Sequence, residues 1–195
     1  MYTVSIMKLE YKVKENKYEN IRQILKQEFH LSDRLVTKLK KAGQIYINNE
    51  TAFIYDSFQT GDIVSVLLDF EETSDNIIPI KMPLSILYED EAMLAVDKPA
   101  GIPVHPSMDH YKDSLSNGVK HYFNEIGLHR KIRPVNRLDR NTSGIVIFAK
   151  NEYIQECLIK QMQCKEFQKE YIALLEGTLE NKKRHYQRSH CKKRK

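Results

Sequence analysis

The stretch RPVNRLDRNTSGIVIFAKN (133–151) holds a single carboxylate, Asp139, between Arg137 and Arg140. Turn-forming residues (141–144) follow the acid, and a hydrophobic run comes next. An acid held among phosphate-binding cations could act beside a substrate that is a nucleic acid. The plain alternative is an acid that caps a charged turn in front of a buried strand.

A second stretch, EFQKEYIALLEG (166–177), alternates in a way that predicts a strand. Tyr171 in this strand could stack against a planar base, a contact that contributes about 1–3 kcal/mol. Lys169 lies two residues earlier on the same side of the strand, where it could support a loop or reach a phosphate. A core tyrosine in an amphipathic strand is the alternative interpretation of Tyr171.

A third segment, KPAGIPVHP (98–106), predicts a rigid loop with Lys98 and His105 near its two ends. A single histidine in such a loop is more often structural or exposed than catalytic. We therefore expect His105 to pack beneath the Asp139 segment rather than to act on a substrate.

Residues 1–70 are predicted to form a small unit. Its expected elements are a strand in 2–13, a helix in 18–29, a second helix from a Ser32 cap to a Gly43 stop, a hairpin around Asn48-Asn49, and a strand after the turn at Gly61-Asp62. Residues 17–48 carry seven Lys/Arg against three Asp/Glu. The cations expected on one exposed face are Arg22, Arg34, Lys38, Lys40 and Lys41. This face is either a nucleic-acid contact or an ordinary solvated helix surface.

Residues 71–83 are polar and then punctuated by proline, which predicts a linker that could let the first unit move freely. A second unit is expected over 84–180. Its predicted elements are two short strands around Glu89-Asp90-Glu91, a helix beginning near Asp113, a buried strand at 144–150, a helix at 151–162 and the strand at 166–177. Strands and helices in this order favour an α+β fold with a mixed, largely antiparallel sheet and flanking helices.

The positive charge of the chain is concentrated at its C-terminal end. The net charge is +5, but residues 181–195 hold eight of the 31 Lys/Arg and no acid, which leaves −3 on residues 1–180. Overall basicity is therefore no argument that the folded body binds nucleic acid.

Other classes of function are disfavoured by the composition. No apolar run approaches the length of a membrane span, and the N-terminus does not resemble a signal peptide. The three cysteines form no CxxC pair and are predicted to be free thiols in a reducing cytosol. No His/Cys pair has ligand spacing, so we expect no metal site. The free thiols and the lack of an export signal predict a cytoplasmic protein.

The motifs occur in an order that resembles a known family. The helix–helix–hairpin order of residues 1–70 resembles the S4 RNA-binding module. The segments YEDEAMLAVDKPAGIPVHP, RPVNRLDRNTSGIVIFAKN and FQKEYIALLEG are together similar to the RluA-type pseudouridine synthases, over roughly residues 10–180.

The resemblance implies isomerisation of uridine to pseudouridine in structured RNA, with ribosomal RNA favoured and tRNA as the alternative. It implies no cofactor and Asp139 as the catalytic acid. A monomer is expected, although the sequence itself carries no signal of oligomeric state. It also implies that Arg137 occupies the space left by the flipped base and that Tyr171 lies against the uracil. Arg140 and Lys169 are expected to contact RNA. The alternative function is that of an RNA-binding protein without catalysis.

Two features depart from the family pattern. Asn136 stands where many members have histidine, a change that we expect to be minor because an amide can also form local hydrogen bonds. Family members also continue for many residues beyond the segment of Tyr171, so we expect a catalytic domain that is incomplete at its C-terminus. Residues 181–195 could result from a frameshift near Asn181–Arg184, and a native basic RNA-binding tail is the rival interpretation.

Overall fold

The computed structural model describes residues 7–15, 17–68, 70, 72 and 77–177. In these residues the chain forms two four-stranded sheets and four helices. Every strand pair in them is antiparallel, so the expected mixture with parallel strands is not found there. The expected α+β class is confirmed.

The first sheet and two helices form one unit. Its elements are β1 (Lys8–Lys12), α1 (Ile21–Gln27), α2 (Asp33–Ala42), β2 (Ile45–Ile47), β3 (Glu50–Thr51) and β4 (Ile63–Leu67). The strand order is β1-β4-β2-β3. Apolar residues from both helices, including Ile21, Leu25 and Leu39, pack with Val64 and Val66 of β4 into one core.

Local signals in the sequence set the ends of these elements. The Ser32 side chain accepts a hydrogen bond from Leu35 N and begins α2, while Gly43 ends it with φ of 65°. Asn48 and Asn49 have φ of 50° and 70°, as a tight hairpin turn requires. The predicted cap, stop and turn are confirmed.

The second unit is built around the other sheet. Its elements are β5 (Ser85–Glu89), β6 (Met93–Lys98), α3 (Leu115–Glu125), β7 (Arg133–Pro134), β8 (Gly144–Ala149) and α4 (Glu152–Gln163), with strand order β5-β6-β8-β7. Leu94, Val96, Val146 and Phe148 of the central strands pack against α3 through Val119 and other apolar residues. The helix predicted to begin near Asp113 has Ser114 as its N-cap and Leu115 as its first residue.

The predicted strand over 166–177 is wrong. These residues follow α4 without pairing to any strand in the described part of the chain. Ile172 and Leu174 are fully exposed. Alternation indicates which side of a strand would be buried, but a strand also needs a neighbouring edge for its N–H and C=O groups. Of the two edge strands of this sheet, β7 is only two residues long and so offers little edge for pairing.

The segment between the two sheets is packed, not free. Asn117 of α3 donates from Nδ2 to Ile78 O at 2.8 Å, and Ile80 N donates to Asn117 O at 3.1 Å. Gly118 leaves the space that Met82 fills, since a Cβ there would lie 2.4 Å from Met82 Cγ. The described part of 71–83 is thus held on α3 instead of spanning open solvent.

Ionic contacts join the two units beside this segment. The Glu72 carboxylate lies 2.5 Å from Lys38 Nζ of α2 and 2.6 Å from Arg133 Nη1 of β7, and it is almost fully buried. Lys38 also lies 3.3 Å from Glu152 of α4 and 4.0 Å from the centre of the Phe70 ring. A free first unit, one outcome of the sequence analysis, does not agree with these contacts.

The remaining predictions concern the ends of the chain, the cysteines and membrane crossing. The start of the strand in 2–13 and the basic segment 181–195 lie outside the described residues. Cys157 and Cys164 are free thiols, as expected. Across the described ranges, no helix combines the length and apolar character that a membrane crossing requires.

Candidate active site

Asp139 lies on the loop 137–143, which connects the edge strand β7 to the central strand β8. Val135 N donates to Ile147 O at 2.7 Å, after which the main chain leaves the sheet. A turn closed by Thr142 N and Asp139 O, at 3.1 Å, then brings the chain back to β8. The Asp139 side chain is exposed on this loop.

The two arginines beside Asp139 in the sequence do not pair with it. Among the described residues, no ion pair or hydrogen bond joins the Asp139 carboxylate to Arg137 or Arg140. Arg140 instead donates from Nε to Gly101 O at 2.8 Å, and its own carbonyl accepts from Gly101 N at 2.9 Å. The expectation that Asp139 is held between two guanidinium groups is therefore wrong for the described residues. The Arg140 guanidinium joins two loops instead.

Lys98 also joins the loop that contains Gly101 to the loop that contains Arg140. Its side chain is fully buried at the end of β6, and Nζ donates to three carbonyls: Pro99 O (2.8 Å), Ile102 O (2.9 Å) and Arg140 O (3.0 Å). Burial lowers the pKa of Lys98. Three acceptors nevertheless require the ammonium form, since a neutral amine has only two N–H bonds.

His105 lies beside Arg137 at the far end of the same loop. Burial, followed by the charge of Arg137, lowers the pKa of His105 from its ordinary value. The residue is nevertheless exposed, and its Nδ1 lies 3.4 Å from Ser116 Oγ of α3. This contact is with α3, so packing of His105 beneath the Asp139 segment stays a prediction.

A cleft of about 710 Å³ opens between the loop and the segment after α4. One wall includes Asn136, Leu138, Asn141–Gly144 and Ile147, and the other is residues 167–172. Lys169 and Tyr171 both line it, and Tyr171 is 61% exposed. Asp139 is not itself a lining residue but lies between Leu138 and Asn141, which are. The volume lies within the range of about 300–1,000 Å³ that small-molecule sites have.

The loop and both walls of this cleft lie within one family match. The family described as RNA pseudouridylate synthase matches residues 92–195, slightly more than half of the chain. The chain belongs to the RNA pseudouridylate synthase family. The motif resemblance to the pseudouridine synthases is thereby confirmed.

Individual members of the pseudouridylate synthase family agree with this assignment. The uncharacterized RNA pseudouridine synthase YhcT of Bacillus subtilis is 34% identical over 160 residues, covering 82% of this chain and 53% of the relative. Ribosomal large subunit pseudouridine synthase D of Xanthomonas campestris is 32% identical over 139 residues, covering 71% and 42%. The mitochondrial tRNA pseudouridine(32) synthase of Saccharomyces cerevisiae is 32% identical over 135 residues, covering 69% and 27%. The chain spans about half the length of the curated relatives YhcT and YjbO, and less of the others named here.

The basic face predicted on the first unit lies outside the family match and is not uniformly free. Lys38 is held by Glu72 and Glu152. Arg22 Nη2 lies 3.0 Å from Asp33, and this bond, followed by one from Lys26, lowers the pKa of Asp33. The members that remain exposed on α2 are Arg34, Lys40 and Lys41.

Two residues that hold the site were not selected from the sequence as functional. Lys98 was noted only as a flank of the loop, and Asn136 only as a departure from the family. The signal for Lys98 is its position at the end of a buried strand directly before Pro99. Its acceptor Arg140 is 42 residues away, so no local pattern indicated the contact.

Metal ligation has no support in the described ranges, where no group of three or more His, Cys, Asp or Glu side chains is placed to hold an ion. The polar residues around the cleft carry amides, hydroxyls, a phenol, an ammonium group and one carboxylate, that of Glu170. Such groups can orient a planar base and its sugar by hydrogen bonding and stacking.

Proposed function

We propose that the chain isomerises uridine to pseudouridine in RNA, with Asp139 as the catalytic acid. The observation that carries this proposal is the cleft between the Asp139 loop and the segment of Tyr171. A loop bearing one exposed carboxylate there faces an exposed phenol across a space large enough for a nucleoside. Membership in the synthase family gives this geometry its chemical interpretation.

The proposed reaction conserves all atoms of the nucleotide. Asp139 adds to the ribose C1′, or stabilises its positive charge, as the C1′–N1 bond breaks. The uracil then turns over and its C5 bonds to C1′, and where Asp139 has added to C1′ that ester bond breaks at the same carbon and releases the carboxylate. C5 loses its proton while N1 gains one, so no cofactor is required.

The neighbouring side chains have separate proposed roles. Arg137 is exposed and, among the described residues, makes no ion pair, so it is free to enter the space left when the base is flipped out of its stack. Tyr171 lies against the extruded uracil and takes part in proton transfer at C5. Lys169 on the same wall reaches the backbone phosphate, while Arg140 supports the loop that carries Asp139.

The proposed substrate is structured RNA, with ribosomal RNA favoured over tRNA. The name of one relative refers to the ribosomal large subunit, and that of another refers to tRNA. We propose that the first unit is an S4-like module, and that Arg34, Lys40 and Lys41 of α2 contact RNA phosphates. The remaining cations expected on this face, Arg22 and Lys38, have protein partners and contribute less.

Release of tritium from RNA labelled at uridine C5 tests the proposal. We expect release with the wild-type chain and its loss, by at least a thousandfold, in Asp139→Asn. Asp109→Asn, which neutralises another exposed acid, is the matched control and should release tritium normally. Release that survives in Asp139→Asn would show that another group performs the chemistry.

A second function, RNA binding without catalysis, is favoured by the exposed cations of α2. It predicts that wild type and Asp139→Asn bind structured RNA equally while neither releases tritium. Replacement of Arg34 and Lys41 by alanine should then weaken binding and flatten its dependence on salt, because fewer counterions are released.

A further inference from the structure

The side chain of Asn136 is bonded to the central strand β8 at two points. Its Nδ2 donates to Ile145 O at 2.9 Å, and its Oδ1 accepts from Ile147 N at 2.9 Å. One amide therefore supplies the donor and the acceptor that the backbone of a neighbouring strand would otherwise provide.

This contact occurs where the real strand pairing ends. β7 pairs with β8 through Arg133 and Pro134, and Val135 N adds one more bond, to Ile147 O. Beyond Val135 the main chain must leave the sheet in order to form the loop of Asp139. Asn136 lets it do so while the polar groups of Ile145 and Ile147 keep their partners.

The loop is consequently held on β8 at both ends. Asn136 fixes the entry of the loop, and Gly144, the first residue of β8, fixes its exit. Asp139 lies three residues beyond Asn136, and Asn136 itself lines the cleft. Any rotation of the Asn136 side chain away from β8 would release the entry side of the loop.

We propose that Asn136 is a positioning residue that sets the location of Asp139 by replacing the missing strand partner of β8. It acts through the loop and has no contact with the reacting atoms. The proposal rests on the proposed function, since it assigns Asn136 a role in the step that Asp139 performs.

The chemistry of the side chain defines the variants that test it. Asn136→Asp keeps the shape and one acceptor for Ile147 N, but places a charged oxygen against the carbonyl of Ile145. Asn136→Leu has similar size and forms neither bond. Asn124→Asp is the matched control, because Asn124 is exposed on α3 away from the cleft.

Three measurements on the full chain separate positioning from a purely structural role. They are amide hydrogen exchange at Ile147, ¹⁵N order parameters of residues 137–141, and tritium release resolved into kcat and KM. In Asn136→Leu we expect exchange at Ile147 to be at least tenfold faster, whereas Asn136→Asp keeps the acceptor for Ile147 N and should raise exchange less. Both variants should lower the order parameters of the loop. We also expect kcat to fall at least tenfold while KM stays within twofold, and Asn124→Asp to change none of these values.

Each contrary result overturns the inference in a distinct way. Unchanged exchange at Ile147 would show that the amide bonds do not hold the strand. Faster exchange with an unchanged loop and unchanged kcat would show that Asn136 only stabilises the sheet edge. If wild type releases no tritium, the proposed function fails, but exchange and order parameters still decide whether Asn136 positions the loop.

Discussion

Single side chains that cross between loops define the candidate active site more than the acid itself does. Lys98 Nζ donates hydrogen bonds to carbonyls of the 99–102 loop and to the carbonyl of Arg140. Two further hydrogen bonds join Arg140 to Gly101. These contacts fix the relative position of two segments that are distant in the sequence. The exposed Asp139 gains its location from them, since its own carboxylate has no bonded partner among the described residues.

Replacing Lys98 by methionine tests this support. Methionine keeps most of the volume but leaves the carbonyls of Pro99 and Ile102 without a donor, while Arg140 O keeps its bond from Gly101 N. We expect a loss of about 2–4 kcal/mol in the free energy of unfolding. Denaturant unfolding measures the loss, and Lys112→Met, at an exposed position, should change stability by less than about 0.5 kcal/mol. Equal stability of the two variants would mean that Lys98 does not hold the loops.

At the scale of elements, helix α3 organises the second unit on two sides. One face packs on the sheet core, and another holds the segment 77–84 through Asn117 and Gly118. The N-terminal cap of α3 is a reciprocal capping box between Ser114 and Asn117. The same Asn117 side chain thus caps the start of α3 and binds a distant segment, which explains its complete burial.

Gly118→Ala probes the close approach of Met82 to α3. Alanine favours helix by about 1 kcal/mol over glycine, but its Cβ would lie 2.4 Å from Met82 Cγ and 3.1 Å from Leu84 Cδ2. We expect the steric clash to outweigh the gain in helix propensity and to lower the free energy of unfolding by about 1–3 kcal/mol. Chemical denaturation of the variant measures the change.

A double-mutant cycle provides the control for this prediction. In a Met82→Ala background the space is vacant, so Gly118→Ala should be neutral or stabilising by up to about 1 kcal/mol. The same loss in both backgrounds would contradict the assignment of the clash to Met82.

At the scale of the whole molecule, Glu72 joins the two units. Burial raises the pKa of this carboxyl, but hydrogen bonds from Arg133 and Lys38 outweigh it and hold the pKa at about 2. Glu72 N also donates to His129 O at 2.8 Å, and Arg130 donates to Phe70 O. The first unit therefore has a fixed orientation relative to the cleft.

Glu72→Gln should destabilise the protein in a pH-dependent way. The depressed pKa means that this carboxylate stabilises the fold above its ordinary value of 4.5 and loses that contribution as pH falls towards about 2. The contribution is on the order of 3 kcal/mol at neutral pH. The stability difference between wild type and Glu72→Gln should thus be constant above pH 5 and shrink below pH 4, as measured by denaturant unfolding.

The control for this measurement is Glu91→Gln, which neutralises an exposed acid. Its stability should follow that of wild type at every pH. A difference between wild type and Glu72→Gln that stays constant down to pH 2 would argue against the buried ion pairs.

The sequence by itself determined the caps and turns of the first unit and the family of this chain. Ser32, Gly43 and the Asn48-Asn49 turn act through hydrogen bonds and dihedral angles within a few residues, so their effects can be read locally. The motif around Asp139 likewise indicated the synthase family. Only the tertiary structure decided which charges are free, because the partners of Lys38 and Arg140 lie 34 and 39 residues away. It also decided against a strand at 166–177, since pairing depends on an available sheet edge and not on alternation alone.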